Sequence, residues 1–264
     1  MRYFNQILEF SRYIRTETCL FVSGIALSGY LLFNKPGILM LPLMLTAFFS
    51  SAAIYSYNHI TDKKEDAVNN RKINRFAENR YGKLVPLACI CISFMFSIFL
   101  SSFSFVIYII SLSAGMLYSA LRLKKLYFFK NFYTGIIFSL VFLMGEIATG
   151  NVIYLMFDYL LIPFLSGFIL NLLGDIRGYK GDKHAGLKTF PILLGLEKAK
   201  TLLQIILWCF IILIFLKYRI FASIAIFMVF LSLFLLKDDM KITRVCILLS
   251  FATLPAFMLV ALWI

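Results

Sequence analysis

Charged side chains are scarce in this chain of 264 residues, where Lys, Arg, Asp and Glu together make up 15% of the sequence. Soluble domains contain about 25% charged and about 45–50% apolar residues. This chain is 61% apolar, and its mean hydropathy is +0.88. Such a composition excludes a disordered chain, a collagen-like fibre and a small disulfide scaffold. The class that remains is a protein that crosses a membrane several times.

Acidic residues are scarcer than basic ones, 13 against 26, which leaves a net charge of +13. In a soluble protein this excess would suggest nucleic acid, but in a membrane protein it indicates loops that face anionic lipid. No nucleic-acid partner is therefore expected. The five cysteines form no Cys-x-x-Cys pair and neither of the two histidines stands at ligand spacing. Neither a disulfide framework nor a zinc site is predicted.

Uncharged apolar stretches predict the membrane spans. Residues 84–121 contain no charge, and as one helix they would be about 57 Å long, nearly twice the hydrocarbon thickness of about 30 Å. Two spans with a turn at Ser101-Ser102 are therefore expected. Residues 131–173 are also too long for one span, and two spans joined by a short loop around 146–158 are expected. The stretches lie at 18–33, 36–57, 84–121, 131–173, 201–216, 220–236 and 245–264. They predict an all-α integral membrane protein of about nine transmembrane helices in one domain, 1–264.

The basic residues predict which way the spans run. With the N-terminus in the cytoplasm, only Lys35, Lys217 and Arg219 of the 26 basic residues fall on the outer side. Lys and Arg accumulate in cytoplasmic loops, so this orientation is the expected one. The Lys-, Asn- and Ile-rich composition is typical of an AT-rich prokaryotic genome, which suggests a prokaryotic cell membrane. The segment Met1–Glu9 lacks an apolar core, so no removable signal peptide is expected. Catalytic chemistry should lie in the cytoplasmic loops, at about 59–83, 122–130 and 174–200.

Two polar motifs stand at the cytoplasmic ends of spans. The first reads Asn58-x-x-x-Asp62-x-x-x-Asp66, and this spacing places the three side chains on one face of a helix. The second begins with the same Asn-x-x-x-Asp pattern at Asn171 and Asp175. Because the pattern recurs four helices further along, it suggests a diverged internal repeat whose halves face each other.

Asp182 lies seven residues beyond Asp175, again close to one helical face. Two facing acidic clusters repel each other unless a cation lies between them, and Mg²⁺ binds carboxylate and amide oxygens together with substrate phosphates. The flanking loops supply Arg and Lys, which suit phosphate oxygens. The residues therefore predict a Mg²⁺–diphosphate site above an apolar bundle that holds a hydrocarbon tail. The expected metal ligands are Asn58, Asp62, Asp66, Asn171, Asp175 and Asp182.

These motifs resemble those of the UbiA-type intramembrane prenyltransferases, which have one Asp-rich motif after helix 2 and another after helix 6. The second motif continues into Gly186-Leu-Lys-Thr-Phe-Pro191, which is similar to the Gly-x-Lys-Thr-x-Pro of that family. Tyr118-Ser-Ala-Leu-Arg122 looks like its Tyr-x-x-x-Lys/Arg, and Asn131 stands where a Gly-Asn is common. The resemblance covers about residues 10–200.

The chain also departs from that family's pattern. Arg15 matches an arginine often found before helix 1, but Gly178 stands where many relatives have the middle Asp of the second motif. Lys130 replaces the Gly before Asn131, and Phe76 replaces the Pro of an Asn-x-x-x-Arg-Pro sequence.

The resemblance implies a nine-helix bundle with internal pseudo-symmetry. It implies Mg²⁺-dependent transfer of a prenyl group from an isoprenoid diphosphate to a lipophilic acceptor in the membrane. The acceptor would be either an aromatic quinone precursor or a geranylgeranylglyceryl phosphate. The implied catalytic residues are Asp62, Asp66, Asp175, Asp182 and Tyr118. The expected diphosphate-binding residues are Arg15, Arg71, Lys72, Arg75, Arg122, Lys124 and Asn131.

A multi-span transporter or a non-catalytic membrane scaffold is the alternative. Transporters place polar groups near the membrane midplane on broken helices, whereas these acidic motifs lie at span ends and the spans are nearly free of charge. This favours an enzyme. His59 and His184 are interpreted as loop residues, and Glu146 and Asp158 as loop or interface residues.

Overall fold

The computed structural model of the protein describes residues 2–63, 73–121, 129–150, 157–184 and 186–218, and every regular element in these ranges is helical. The helices are α1 (Arg2–Ile14), α2 (Thr16–Phe33), α3 (Met40–Thr61), α4 (Arg75–Glu78), α5 (Val85–Ser97), α6 (Ser102–Ala120), α7 (Phe129–Glu146), α8 (Leu161–His184), α9 (Phe190–Leu194) and α10 (Leu196–Tyr218). Single 3-10 turns occupy Gly82–Leu84 and Phe157–Leu160.

Four of the described helices, α2, α3, α6 and α8, are long and apolar enough to cross a membrane, and Gly82–Ser97 is a shorter apolar segment. The expected turn at Ser101-Ser102 is confirmed. Helix α5 ends at Ser97, and the Ser101 hydroxyl accepts a hydrogen bond from the Ser104 N–H at 3.2 Å, which caps α6. The predicted spans at 220–236 and 245–264 lie outside the described residues.

The division of residues 131–173 into two helices is also confirmed, since α7 ends at Glu146 and α8 begins at Leu161. Glu146 itself differs from its interpretation as a loop or interface residue. Its residue surface is only 3% exposed, and its backbone carbonyl accepts a hydrogen bond from the Asn34 side chain at 3.1 Å. The residue is buried because the ends of α2 and α7 are held together there.

The bundle is organised around α2, which packs between α3 and α7. On one side α3 packs against α5, on the other α7 packs against α8, and α10 packs on the outer side of α8. Helix α6 contacts both α3 and α7 and so closes the arrangement. This layout brings the C-terminal ends of α3, α6 and α8 together with the starts of α2 and α7.

Glycines allow the two central helices to approach closely. A methyl group on Gly29 of α2 would overlap the backbone carbonyl oxygen of Phe142, and one on Gly145 of α7 would overlap that of Ala26. Membrane helices have no hydrophobic force to drive them together, so small residues at the contact supply van der Waals packing instead.

Helix α1 lies across the segment that leads into α5. The hydroxyl of Tyr13 donates a hydrogen bond to the Gly82 carbonyl at 3.0 Å, and the Asn74 side chain donates one to the Glu9 carbonyl at 3.0 Å. Burial raises the pKa of Tyr13 to about 12, so its hydroxyl remains a neutral donor at physiological pH. These contacts fix the start of α2, where Arg15 stands.

Candidate active site

A cavity of about 320 Å³ lies between α2, α3, α6, α7 and α8. Its apolar part is lined by residues from the middle of the helices, including Val22, Leu112 and Val141. Its polar part is lined by residues from the C-terminal ends of α3, α6 and α8 and from the starts of α2 and α7. These are Arg15, Asn58, Asp62, Tyr118, Lys130, Asn171, Asp175, Arg177 and Asp182. The cavity therefore combines a charged mouth with an apolar interior.

Both Asn-x-x-x-Asp motifs reach this one cavity, although more than 100 residues of sequence separate them. In the first motif, the side-chain carbonyl of Asn58 accepts a hydrogen bond from the Ser119 hydroxyl of α6. Asp62 follows one helical turn later as the C-cap of α3, and its N–H donates to the Asn58 carbonyl at 2.9 Å. Asp66, the third position of this motif, lies outside the described residues.

In the second motif, the side-chain amide of Asn171 donates to the Thr134 hydroxyl of α7 and, at 3.4 Å, to the Lys130 carbonyl. A neighbouring helix thus holds each motif asparagine through a hydroxyl. Asp175 and Asp182 are buried, with 2% and 7% of their surface exposed.

The Asp175 carboxylate forms an ion pair with the Lys130 ammonium of α7. The pair is enclosed, since 3% of the Asp175 side chain and 18% of the Lys130 side chain are exposed. A buried carboxylate that loses such a partner typically destabilises a fold by about 3–5 kcal/mol. Asn131, which is fully buried, lies beside the same carboxylate.

Arg15 and Tyr118 complete the mouth of the cavity. Arg15 joins α1 to α2 with φ 54° and ψ 56°, in the left-handed region, and its guanidinium carbon lies 5.2 Å from the Tyr55 ring centroid. The Tyr118 ring stacks on Tyr133, with centroids 5.6 Å apart. Tyr133 is anchored because its hydroxyl donates to the Ala114 carbonyl at 2.9 Å. Aromatic faces stabilise cations, so these rings suit a site in which positive charge develops.

The expected diphosphate-binding residues are placed differently from one another. Arg15 lines the cavity and Asn131 lies next to Asp175. Arg75 points outward, with 80% of its side chain exposed and its Nε 3.9 Å from the Glu9 carboxylate. Arg71, Lys72, Arg122 and Lys124 lie outside the described residues.

Sequence reasoning missed the functional contacts of Lys130, Ser119 and Thr134. Lys130 was noticed only as a departure from the family pattern, and the serine and threonine fall among many similar residues in apolar helices. Neither histidine is among the residues that line the cavity. The interpretation of both as loop residues is wrong, because His59 lies within α3 and His184 is the last residue of α8. His59 stacks on Tyr13 with ring centroids 5.6 Å apart, and His184 is exposed at the end of α8.

The donor set fits an open magnesium site. Asp62, Asp175 and Asp182 contribute carboxylates, and Asn58 and Asn171 contribute amides. In the part of the chain that the structure describes, no three His, Cys, Asp or Glu side chains come close enough to hold a metal by themselves. Mg²⁺ is commonly bound by one or two carboxylates, with waters and substrate phosphates as the other ligands. The residues present therefore fit Mg²⁺ sites that a diphosphate completes.

Comparison with known proteins identifies the class. The model of the UbiA prenyltransferase family matches residues 18–245, so the chain belongs to that family, and it is an integral membrane prenyltransferase. No curated protein sequence matches the chain.

Solved structures share the fold. A UbiA homologue from Archaeoglobus fulgidus bound to GPP and Mg²⁺ is 17% identical, with a TM-score of 0.75 over 97% of this chain and 98% of that one. The apo UbiA homologue from Aeropyrum pernix K1 is 16% identical, with a TM-score of 0.79 over 94% and 99% of the two chains. A digeranylgeranylglyceryl phosphate synthase is 22% identical, with a TM-score of 0.63 over 98% and 97%.

Proposed function

We propose that this protein transfers a prenyl group from an isoprenoid diphosphate to a lipophilic acceptor, with Mg²⁺ as cofactor. The observation that carries the proposal is the convergence of both Asn-x-x-x-Asp motifs on one cavity with an apolar interior. A membrane-embedded cavity that is acidic at its mouth and apolar below suits a molecule with a diphosphate head and a hydrocarbon tail. The Archaeoglobus homologue bound to GPP and Mg²⁺ supports this assignment.

The donor binds with its diphosphate at the cytoplasmic mouth and its prenyl chain among the apolar side chains. Asn58, Asp62, Asn171, Asp175 and Asp182, together with Asp66, would hold Mg²⁺, which when bound would supply positive charge to offset that of the departing diphosphate. Arg15 and Asn131, together with Arg71, Lys72, Arg122 and Lys124, bind and orient the diphosphate oxygens. The expected role of Arg75 is not retained, because its side chain is exposed and is directed to Glu9 at the surface.

Cleavage of the carbon–oxygen bond leaves an allylic cation. Tyr118, whose ring is fixed by stacking on Tyr133, stabilises that cation through its face or hydroxyl. The apolar walls exclude water, which would otherwise capture the cation before the acceptor attacks.

The acceptor belongs to one of two classes, an aromatic quinone precursor or a geranylgeranylglyceryl phosphate. Arg177, a cation at the mouth that is not assigned to the diphosphate, would suit a second phosphate and so favours the phosphate acceptor. Family membership and the enzymatic cavity together disfavour the transporter and scaffold alternatives.

We also propose that the chain, 1–264, forms one domain of about nine transmembrane helices with an internal pseudo-repeat. The matching positions of Asn58 and Asn171, each held by a hydroxyl from a neighbouring helix, support the repeat. The N-terminus and the active site face the cytoplasm of a prokaryotic cell, as the distribution of basic residues suggests.

The test is Mg²⁺-dependent release of diphosphate from geranylgeranyl diphosphate by the purified protein, with a panel of quinone precursors and glycerol-phosphate ethers. We expect product with one acceptor class and none after removal of Mg²⁺ with EDTA. Asp62→Asn and Asp175→Asn should each lower the rate at least about 100-fold, because a metal that stabilises developing charge contributes several kcal/mol. Glu197→Gln, at an exposed acid of α10, is the matched control and should leave the rate unchanged.

Wild-type rates in Asp62→Asn or Asp175→Asn would contradict the proposed site. Failure of the wild-type protein to bind inorganic pyrophosphate in the presence of Mg²⁺ would contradict the proposed function itself.

A further inference from the structure

Lys130 provides a positive charge to the second acidic motif from within the chain. It lies 45 residues from Asp175 in sequence, yet its ammonium bonds directly to the Oδ1 atom of that carboxylate. Asp175 is also one of the carboxylates assigned to Mg²⁺. This oxygen cannot bind both the lysine and a metal ion strongly, since the two cations compete for its lone pairs.

The surroundings of this pair distinguish it from an ordinary structural ion pair. Both residues line the cavity, and 18% of the Lys130 side chain is exposed while only 3% of the Asp175 side chain is. The lysine can therefore reach into the cavity, whereas the aspartate is fixed in the wall. The pair of Lys200 and Glu197, at 2.9 Å, lies instead at the surface of α10, and neither residue is among those that line this cavity.

The balance of charge at the cavity mouth explains why Lys130 pairs with Asp175. Asp175 and Asp182 are buried, and a buried carboxylate needs a counter-charge whether or not a metal is bound. Before the substrate enters, Lys130 supplies that charge to Asp175. A diphosphate brings several negative charges, so the filled site accommodates both Lys130 and a divalent cation.

We propose that Lys130 is the resident counter-ion of Asp175, that a divalent cation replaces it when the diphosphate binds, and that its freed ammonium then binds the diphosphate oxygens. The inference rests on the proposed function, because it assigns Lys130 to the same diphosphate site. It makes binding of the metal and of the diphosphate interdependent. In the empty site Lys130 weakens metal binding, and in the filled site it strengthens diphosphate binding.

The test measures binding rather than turnover. Mn²⁺, a spectroscopic substitute for Mg²⁺, is titrated into purified protein at pH 8 and free Mn²⁺ is followed by electron paramagnetic resonance. Lys130→Met should lower the Kd for Mn²⁺ about tenfold, within the usual range of coupling between two sites. In saturating Mg²⁺, the same variant should raise the Kd for inorganic pyrophosphate about tenfold by calorimetry.

Three comparisons make the result specific. Lys130→Arg keeps a cation on Asp175 and should stay within about twofold of the wild-type Mn²⁺ affinity. The double variant Lys130→Met with Asp175→Asn should lose the tighter Mn²⁺ binding, because the competed ligand is gone. Lys200→Met removes a lysine from the surface ion pair with Glu197 and should change neither the Kd for Mn²⁺ nor the Kd for pyrophosphate. Lys130→Gln, which retains a donor to Asp175, replaces Lys130→Met if that variant does not fold.

Unchanged or weaker Mn²⁺ binding in Lys130→Met would overturn the competition with the metal. Tighter Mn²⁺ binding with unchanged pyrophosphate affinity in Lys130→Met would overturn the proposal that Lys130 binds the diphosphate oxygens. Either result, obtained while the wild-type protein binds pyrophosphate with Mg²⁺ and Asp62→Asn does not, leaves the proposed function standing and rejects only the assignment of Lys130.

Discussion

Arg15 shows how a single residue can combine strain with function. Among the described residues it is the one non-glycine with a positive φ, 54°, in a region that costs an L-residue about 1–2 kcal/mol. Its carbonyl accepts hydrogen bonds from the N–H groups of Thr18 and Cys19, at 2.8 and 3.0 Å, which start α2. The same turn directs its guanidinium over Tyr55 at the cavity mouth. The strain is consistent with selection for the side chain rather than for the backbone.

Substitution of this arginine should separate strain from charge. Arg15→Gly removes the strain and the charge together, so we expect a melting temperature equal to or above that of the wild type. Pyrophosphate affinity in Mg²⁺ should fall about tenfold, as for the loss of one charge-assisted contact. Thermal unfolding in detergent and calorimetry measure the two effects. Arg15→Ala, which loses the charge but keeps the strain, is the control, and equal pyrophosphate affinity in all three proteins would exclude Arg15 from the site.

At the scale of helices, the contact between α2 and α7 determines whether the cavity exists. Both helices contribute cavity walls, and Gly29 and Gly145 let their backbones touch at the end opposite the charged mouth. Hydrogen bonds reinforce that end. The Ser101 N–H donates to the Ala148 carbonyl at 3.0 Å, and the Ser104 hydroxyl donates to the Met144 carbonyl at 2.8 Å. Ser101 and Ser104, which lie far from the mouth, therefore have a structural role, since they join the start of α6 to the end of α7.

Gly145→Val should disrupt this contact. The added side chain would meet the backbone of α2, which cannot move aside as a flexible side chain could, so we expect a loss of about 1–3 kcal/mol of stability. The measurement is the midpoint of thermal or denaturant unfolding in detergent. Gly174→Ala is the matched control, since a Cβ at Gly174 meets no atom within 4 Å. A midpoint unchanged in Gly145→Val would show that α2 and α7 are further apart than described.

At the scale of the whole molecule, the asymmetry of charge predicts the orientation of the protein in the membrane. The net charge of +13 is concentrated on one side of the predicted spans, and Lys and Arg retain their loops in the cytoplasm during insertion. The charged mouth of the cavity lies at the end of the bundle where these basic residues are predicted to gather, so the proposed active site would face the cytoplasm.

Cysteine labelling tests this orientation. Lys35 and Lys183 are exposed residues at opposite ends of the bundle, so Lys35→Cys should react with a membrane-impermeant maleimide in intact cells. Lys183→Cys should react only after the cells are broken. The unsubstituted protein gives the background from its own exposed thiols, Cys91 and Cys209. Labelling of Lys183→Cys in intact cells would reverse the orientation and place the active site outside.

The spans at α2, α3, α6 and α8, the turn at Ser101 and the two Asn-x-x-x-Asp motifs could be predicted because each depends on residues close together in sequence. Hydropathy and i, i+4 spacing are local properties, and they led to the membrane class, the family and the motif residues that line the cavity. Hydropathy and spacing could not show which basic residues enter the cavity and which lie at the surface. Arg75 and Lys130 stand beside motif regions alike, but Arg75 pairs with Glu9 at the surface whereas Lys130 enters the cavity.

By itself, the sequence determined that this is a helical membrane protein, because composition and periodicity decide what a segment can bury. Its two acidic motifs, and their resemblance to those of the UbiA prenyltransferases, indicated an enzyme. Only the tertiary structure decided which partners those motifs have. Ser119 on Asn58, Thr134 on Asn171 and Lys130 on Asp175 are contacts between different helices. Such contacts depend on the crossing and rotation of packed helices, which are set by the fit of whole surfaces and leave no local pattern in the chain.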